Sequence, residues 1–150
     1  MSYDGLMKHL IYAMQFKGTA APGLEAGTMK VTTSATSCSI RSVVGADGIE
    51  GTFQPAEGGM AFFESEARMI GPDTFTETGT ISFGEGDSTL TFSTILQGHL
   101  DSKAGTGAVM WKIDSGEGQF AGATGNITSN FFLAADGTVT DYHFGVIYMK

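Results

Sequence analysis

The stretch Gly116-Glu-Gly-Gln-Phe-Ala-Gly-Ala-Thr-Gly125 decides the fold, because it separates two segments that alternate like β-strands, 107–113 and 126–133. Glycine adopts φ > 0 readily and lets two backbones approach closely, so this spacing is typical of a kinked strand corner. A dinucleotide-binding loop with the pattern G-x-G-x-x-G would have to open a helix. The β-branched and aromatic residues after Gly125 have no helical period, and the stretch therefore predicts a glycine corner in a β-barrel.

The same stretch carries a resemblance to a known group of proteins. Its pattern G-x-G-x-F-x-x-A-x-G resembles a motif near the last strands of the allene oxide cyclase and dirigent-like β-barrel superfamily, and the matching positions are Gly116, Gly118, Phe120, Ala123 and Gly125. The resemblance implies a small antiparallel barrel, a homo-oligomer (dimer or trimer), and an apolar or phenolic small-molecule ligand. It also implies that some members steer the cyclisation or coupling of reactive intermediates. The motif is structural and predicts the fold more than any activity.

Composition and charge restrict the class of protein. The 150 residues suffice for one β-barrel domain over 1–150, and 22 glycines against 3 prolines favour many tight turns. A formal net charge of −8 disfavours nucleic acids and anionic membranes as partners. No segment approaches the roughly 20 apolar residues of a membrane helix. Residues 1–10 show no signal peptide and the single cysteine excludes an internal disulfide, so we expect a cytoplasmic protein.

Alternating segments recur between turn signals along the whole chain. We predict strands near 8–17, 28–36, 38–44, 48–54, 59–70, 74–83, 88–97, 105–113, 124–133 and 138–149. One short turn near residues 1–6 is the only candidate helix. The pattern predicts an all-β fold, either a barrel or a sandwich. The resemblance favours a closed, calycin-type antiparallel barrel of about eight strands plus a short hairpin.

The strand at 74–83 carries the sharpest functional hypothesis. Its apolar face must point inward, and Glu77 belongs to that face together with Phe75, Ile81 and Phe83. A carboxyl group in an apolar cavity has a raised pKa, which suits a general acid or base near neutral pH. The alternative is that Glu77 is half solvated at the barrel mouth, or turned outward by a bulge.

The same alternation predicts a cavity lined by aromatic and methionine side chains, as in many small-molecule pockets. Tyr12 and Tyr142 are predicted to assist Glu77 in moving a proton or stabilising developing charge. The predicted substrate contacts are Met14, Phe16, Phe63, Phe75, Phe92, Trp111, Phe131 and Tyr148.

Other chemistries have weaker signals in this sequence. Asp141 and His143 share a strand face two residues apart, but an exposed pair is a more common arrangement than a metal site. Glu64 and Glu66 are predicted on a solvated outer face or in a subunit contact, because burying adjacent charges is costly. There is no G-x-S-x-G motif, and Cys38 is predicted to be an inert thiol. We expect no metal and no cofactor.

Two functions follow from these expectations. The first is a cofactor-independent cyclase, isomerase or lyase that holds an apolar substrate in a reactive conformation. The second is a binding or carrier protein that uses the same pocket without catalysis. The orientation of Glu77 separates them, since a desolvated carboxyl group is costly to keep in a carrier.

Overall fold

The computed structural model describes residues 8–150, and the predicted turn near residues 1–6 lies outside them. Within this range the chain forms a long series of antiparallel strands with one 3-10 turn at Gly118–Phe120. The strands are β1 (Lys8–Pro22), β2 (Thr28–Gly45), β3 (Gly48–Met69), β4 (Thr74–Phe83), β5 (Ser88–Thr94), β6 (Gly98–Asp101), β7 (Thr106–Glu117), β8 (Thr124–Leu133) and β9 (Thr138–Met149). Over residues 8–150, no helix has the length and apolar character needed to cross a membrane.

Eight of these strands close into a ring. The order around the ring is β1, β2, β3, β4, β5, β7, β8 and β9, and β9 returns to β1 in a register that runs from Lys8↔Met149 to Thr19↔Thr138. At one end, where β5 has finished, the short β6 takes its place between β4 and β7. The expected all-β, closed antiparallel barrel of about eight strands is therefore confirmed.

The hairpin of β2 and β3 extends well beyond the ring. The segments predicted as separate strands at 38–44 and 48–54 continue β2 and β3, because pairing resumes after a bulge at Thr36/Cys38 and runs to Gly45↔Gly48. We call the segment Cys38–Pro55 the arm. Strand β6 was not predicted, since four residues are too few to show an alternating pattern.

Burial along each strand identifies the inner face of the barrel, and it corrects the prediction for the last strand. In β9 the buried side chains are those of Val139, Asp141, His143 and Ile147, whereas Tyr142 and Tyr148 are exposed on the outside. The predicted inward orientation of these two tyrosines is wrong. The outward face, with Tyr142, Phe144, Val146 and Tyr148, is the more apolar of the two, so hydrophobicity alone favoured the wrong face.

The glycine-rich stretch forms the corner between β7 and β8. Gly118 has φ +64° and Gly125 has φ +135°, and a Cβ atom at either position would collide with neighbouring backbone. Between them Phe120 and Ala123 are buried, and the Phe120 ring packs on Phe83 with centroids 5.4 Å apart. The corner thereby closes one end of the barrel, which we call the closed end.

A fully buried layer of rings fills the middle of the barrel. The rings of Phe63, Phe92 and Trp111 lie 4.4–5.5 Å apart, and Phe16 stacks on His143 at 4.1 Å. We call these five residues the aromatic layer. Between this layer and the closed end the interior is solid, packed with aliphatic side chains such as Ile81, Leu90, Ile127 and Ile147.

Candidate functional site

A cavity of about 60 Å³ opens on the other side of the aromatic layer, at the end of the barrel where β6 lies. Its wall is mostly apolar and includes Met29, Val31, Met69, Phe75, Leu100 and Phe131. Two carboxyl groups, those of Glu77 and Asp141, interrupt this apolar wall. No basic side chain is found among the described residues that line the cavity.

Glu77 faces this cavity and is only 7% exposed. Its carboxyl oxygen Oε2 accepts a hydrogen bond from Ser65 Oγ on the neighbouring strand. Its backbone is held by Thr94, whose Oγ1 accepts from the Glu77 N–H at 2.6 Å and donates to the Glu77 carbonyl at 2.8 Å. This places one carboxyl group in a fixed position within an apolar wall.

Burial raises the pKa of Glu77 to about 7, because the charged form loses its hydration. The hydrogen bond from Ser65 lowers this pKa, and the negative charge of Asp141 raises it. The Trp111 indole N–H has a smaller lowering effect on the pKa of Glu77, although it forms no hydrogen bond of standard geometry with any described residue. Glu77 can therefore exchange a proton near neutral pH.

Asp141 belongs to a second buried cluster. Its Oδ1 accepts a hydrogen bond of 2.6 Å from Ser129 Oγ, and its Oδ2 lies 3.0 Å from His143 Nε2. His143 is fully buried in the aromatic layer, and its Nδ1 has no hydrogen-bond partner among residues 8–150. Both oxygens of Asp141 are thus engaged by the protein, whereas Glu77 accepts one side-chain hydrogen bond at Oε2.

The two carboxyl groups are held by the same local arrangement in two hairpins. In β3–β4 and in β8–β9, a serine stands 12 residues before the acid and bonds to it diagonally across the strand pair. The residue opposite the serine differs between the two hairpins: Ser65 lies opposite Gly79, whereas Ser129 lies opposite His143. The second hairpin therefore has a histidine beside its serine and its acid, and the first hairpin has a glycine at that position. The negative charge of the second carboxyl group, Asp141, raises the pKa of the first, Glu77.

The structure separates the predicted substrate contacts into three groups. Phe75 and Phe131 line the cavity, packed edge to face at 5.9 Å. Met14 is partly buried against the core outside the cavity lining, and Tyr148 lies on the outer surface. The remaining four belong to the aromatic layer beneath the cavity: Phe16, Phe63, Phe92 and Trp111.

The two predicted tyrosine partners do not meet Glu77. Tyr12 points inward but lies toward the closed end, where its ring packs on Phe83 at 5.6 Å. Burial raises the pKa of its hydroxyl far above the ordinary value, and the hydroxyl has no partner among the described residues. Tyr142 lies outside the barrel, where its hydroxyl accepts a hydrogen bond of 2.8 Å from Gln15 Nε2.

Sequence reasoning missed that Asp141 and His143 lie inside the barrel. Asp141 and His143 were predicted as an exposed pair, and they are buried because Ser129 and the aromatic layer provide their contacts. Val139 and Ile147 are also buried, and they lie on the same face of β9 as Asp141 and His143. These two apolar residues are a signal in the sequence that could have identified the inner face.

Comparisons with known proteins support the fold of this chain but no activity. No protein-family model and no curated protein matches the chain. The solved structure of the pterocarpan synthase dirigent protein GePTS1 matches with a TM-score of 0.64 and 13% identity, covering 97% of this chain and 90% of that one. That of the pterocarpan synthase dirigent protein PsPTS1 matches with a TM-score of 0.57 and 13% identity, covering 95% and 96%. The barrel therefore has the dirigent-like fold implied by the glycine-rich motif, while these matches do not bear on allene oxide cyclases.

Proposed function

We propose that this protein is a cofactor-independent cyclase, isomerase or lyase, and that it acts on an apolar, uncharged small molecule bound in the cavity. The observation that carries the proposal is Glu77, a buried carboxyl group in an apolar wall with a pKa near 7. The two similar structures are named as synthases, and that name favours an enzyme over a carrier.

The charge of the cavity supports an uncharged substrate. The carboxyl groups of Glu77 and Asp141 face the guest, and no basic residue among the described lining could pair with an anionic group of the substrate. The cavity is small, and Met29 and Met69 are the long, flexible side chains of its wall. A ring-sized guest would enter when these side chains turn aside.

In the proposed mechanism the two carboxyl groups have different roles. Glu77, uncharged below its pKa of about 7, donates a proton to an oxygen of the substrate and thereby promotes bond cleavage or ring closure. Asp141, held by Ser129 and His143, stabilises the positive charge that develops on the substrate. The Glu77 carboxylate then takes back a proton, so no net proton is consumed.

Turnover by variants at Glu77 tests this proposal. We expect Glu77→Gln to fold and to bind ligand, but to lower the rate by roughly 100- to 10,000-fold, the usual contribution of a general acid. Glu64→Gln is the matched control, since Glu64 is an exposed glutamate on the outer face of β3. The assay follows isomerisation or ring closure of a panel of uncharged aromatic alcohols by mass spectrometry and NMR.

The pH dependence of the rate tests whether Glu77 acts in its protonated form. A reaction that needs protonated Glu77 loses rate as the pH rises through about 7, and the loss should be absent from the residual rate of Glu77→Gln. Equal turnover by the two glutamine variants would remove Glu77 from the mechanism.

The second candidate function is binding without turnover. The predominantly apolar cavity wall favours it, because a carrier needs no more than such a wall. Tight binding of the panel compounds by wild type, with no product at any pH, would establish the carrier function instead.

A further inference from the structure

The acidic and basic side chains of this chain are divided between its interior and its surface. All eight lysine and arginine side chains are exposed. Two carboxyl groups, those of Glu77 and Asp141, are buried in the wall of one cavity. The interior of the barrel therefore holds acidic groups without a lysine or an arginine to neutralise them.

The two buried acids differ in what surrounds them. Asp141 Oδ2 lies 3.0 Å from His143 Nε2, so an imidazole ring stands beside this carboxyl group. Glu77 accepts a hydrogen bond from the neutral hydroxyl group of Ser65. None of the ion pairs among residues 8–150 includes Glu77. Glu77 is therefore the buried acid whose charge no basic side chain of this part of the chain balances.

A buried carboxylate without a positive partner is costly, so such a group takes up a proton instead. This cost accounts for the raised pKa of Glu77, which is about 7. Another positive charge that reaches the carboxylate stabilises it as the proton does. The cavity of about 60 Å³ leaves room for such a charge, since Glu77 is part of its wall.

The rest of the cavity wall selects the kind of cation. A metal ion needs several ligands, and the described residues contain no group of three or more His, Cys, Asp or Glu side chains placed to hold one. An organic ammonium ion needs one carboxylate and an apolar surface for its hydrocarbon part, and aromatic rings attract it further. The rings of Phe75 and Phe131 line this cavity. The wall therefore fits an apolar amine in its protonated form.

We propose that the cavity binds small apolar amines as ammonium ions, with the ammonium group paired to the Glu77 carboxylate and the hydrocarbon part packed on Phe75 and Phe131. The amine occupies the site of the proposed function, on which this assignment rests, and is a second class of ligand for it. The cation takes the place of the proton on Glu77, and that proton is released into solution. Such amines inhibit the proposed reaction, because they fill the cavity and remove the proton that Glu77 donates.

The pH dependence of amine binding follows from the charge of Glu77. The side chains near it from β3, β5 and β7 are Ser65, Thr94 and Trp111, none of which titrates near neutral pH, and β9 contributes Asp141 with His143 beside it. With a pKa of about 7, Glu77 is charged in about one tenth of the molecules at pH 6 and in about nine tenths at pH 8. Because the apparent affinity scales with the competent fraction, binding of an amine should strengthen about tenfold over this range.

Isothermal titration calorimetry with benzylamine and benzyl alcohol tests the proposal, since the two probes have similar shapes and differ in charge. We expect wild type at pH 8 to bind benzylamine roughly tenfold or more tightly than benzyl alcohol, because the ion pair forms in an apolar site. The affinity for benzylamine should fall about tenfold at pH 6, and benzyl alcohol should lack this dependence. Titrations at pH 6 in two buffers of different ionisation enthalpy should show about one proton released for each benzylamine bound.

Two matched variants separate the cavity from the general attraction of cations to a protein of net charge −8. Glu77→Gln and Glu64→Gln each remove one carboxyl group, but Glu64 is exposed on the outer face of β3. We expect Glu77→Gln to lose both the preference for benzylamine and the proton release, and Glu64→Gln to keep both. In wild type, a ¹³C NMR titration should show that saturating benzylamine lowers the pKa of Glu77, and this measurement does not depend on how the variants fold.

The amine site and the proposed reaction can fail separately. Equal affinities of wild type for the two probes at pH 8 would overturn the amine site, and so would equal losses in the two glutamine variants or a Glu77 pKa that benzylamine leaves unchanged. A wild type that binds benzylamine with proton release, but converts none of the aromatic alcohols, would keep the amine site and lose the catalytic function. Turnover of the alcohols without binding of benzylamine would do the reverse.

Discussion

The carboxyl groups of Glu77 and Asp141 line the same cavity in the barrel. Ser65 and Asp141 shift the pKa of Glu77 in opposite directions. Ser65 lowers the pKa of Glu77 by donating a hydrogen bond that favours its charged form. Asp141 raises the same pKa by like-charge repulsion. The value near 7 is therefore a balance that single substitutions should move either way.

We predict that Ser65→Ala raises the pKa of Glu77 above the wild-type value and that Asp141→Asn lowers it. The first change removes a donor to the carboxylate, and the second removes a negative charge while keeping the shape of the side chain. The measurement is a ¹³C NMR titration of the carboxyl resonance, assigned by its loss in Glu77→Gln. Shifts of the same sign in both variants would contradict this account of the site.

At the scale of elements, the corner between β7 and β8 depends on glycine for backbone reasons. Gly118 and Gly125 have φ values that side chains rarely adopt, and each lies against neighbouring backbone. The sequence predicted this corner, because glycines at such spacing between two alternating segments have few other structural explanations. Its function in closing the barrel through Phe120 follows only from the packed structure.

We predict that Gly118→Val and Gly125→Val each destabilise the fold by about 2 kcal/mol or more, from backbone strain and steric overlap. Gly59→Val is the control, since Gly59 has an ordinary φ and no atoms near the added Cβ. Urea unfolding followed by tryptophan fluorescence measures all three, because Trp111 is buried in the core. Wild-type midpoints for the two corner variants would show that neither position needs glycine.

At the scale of the whole molecule, the barrel is solid toward the closed end and hollow toward β6. Ala61 and Ala67 lie on the same face of the same strand, yet Ala61 is 1% exposed in the solid half whereas Ala67 lines the cavity. A larger side chain should therefore have different consequences at these two positions. This contrast tests whether the cavity is the ligand site.

We predict that Ala67→Leu preserves or slightly raises stability, since each added CH₂ group gains about 0.8 kcal/mol on burial in free space. It should also abolish binding of a small neutral probe such as phenol. Ala61→Leu should cost about 1–3 kcal/mol through overpacking and leave the cavity open. Thermal unfolding measures stability, and the NMR shifts of the Met29 and Met69 methyl groups on phenol addition measure binding. Unchanged binding in Ala67→Leu would place the ligand elsewhere.

The sequence by itself determined the all-β character, the glycine corner and the place of Glu77 on the apolar face of its strand, because each depends on local alternation or on backbone conformations that few residues tolerate. It left open whether the strands form a barrel or a sandwich and whether Glu77 is buried, and the closed ring and the packing around Glu77 decided both. Only the tertiary structure decided the inner face of β9, where Asp141 and His143 are buried and Tyr142 is exposed. That choice depends on partners distant in sequence, such as Ser129 and Phe16, which no local pattern contains. For the same reason, the division into a solid half and a hollow half follows from how side chains of eight strands meet in space.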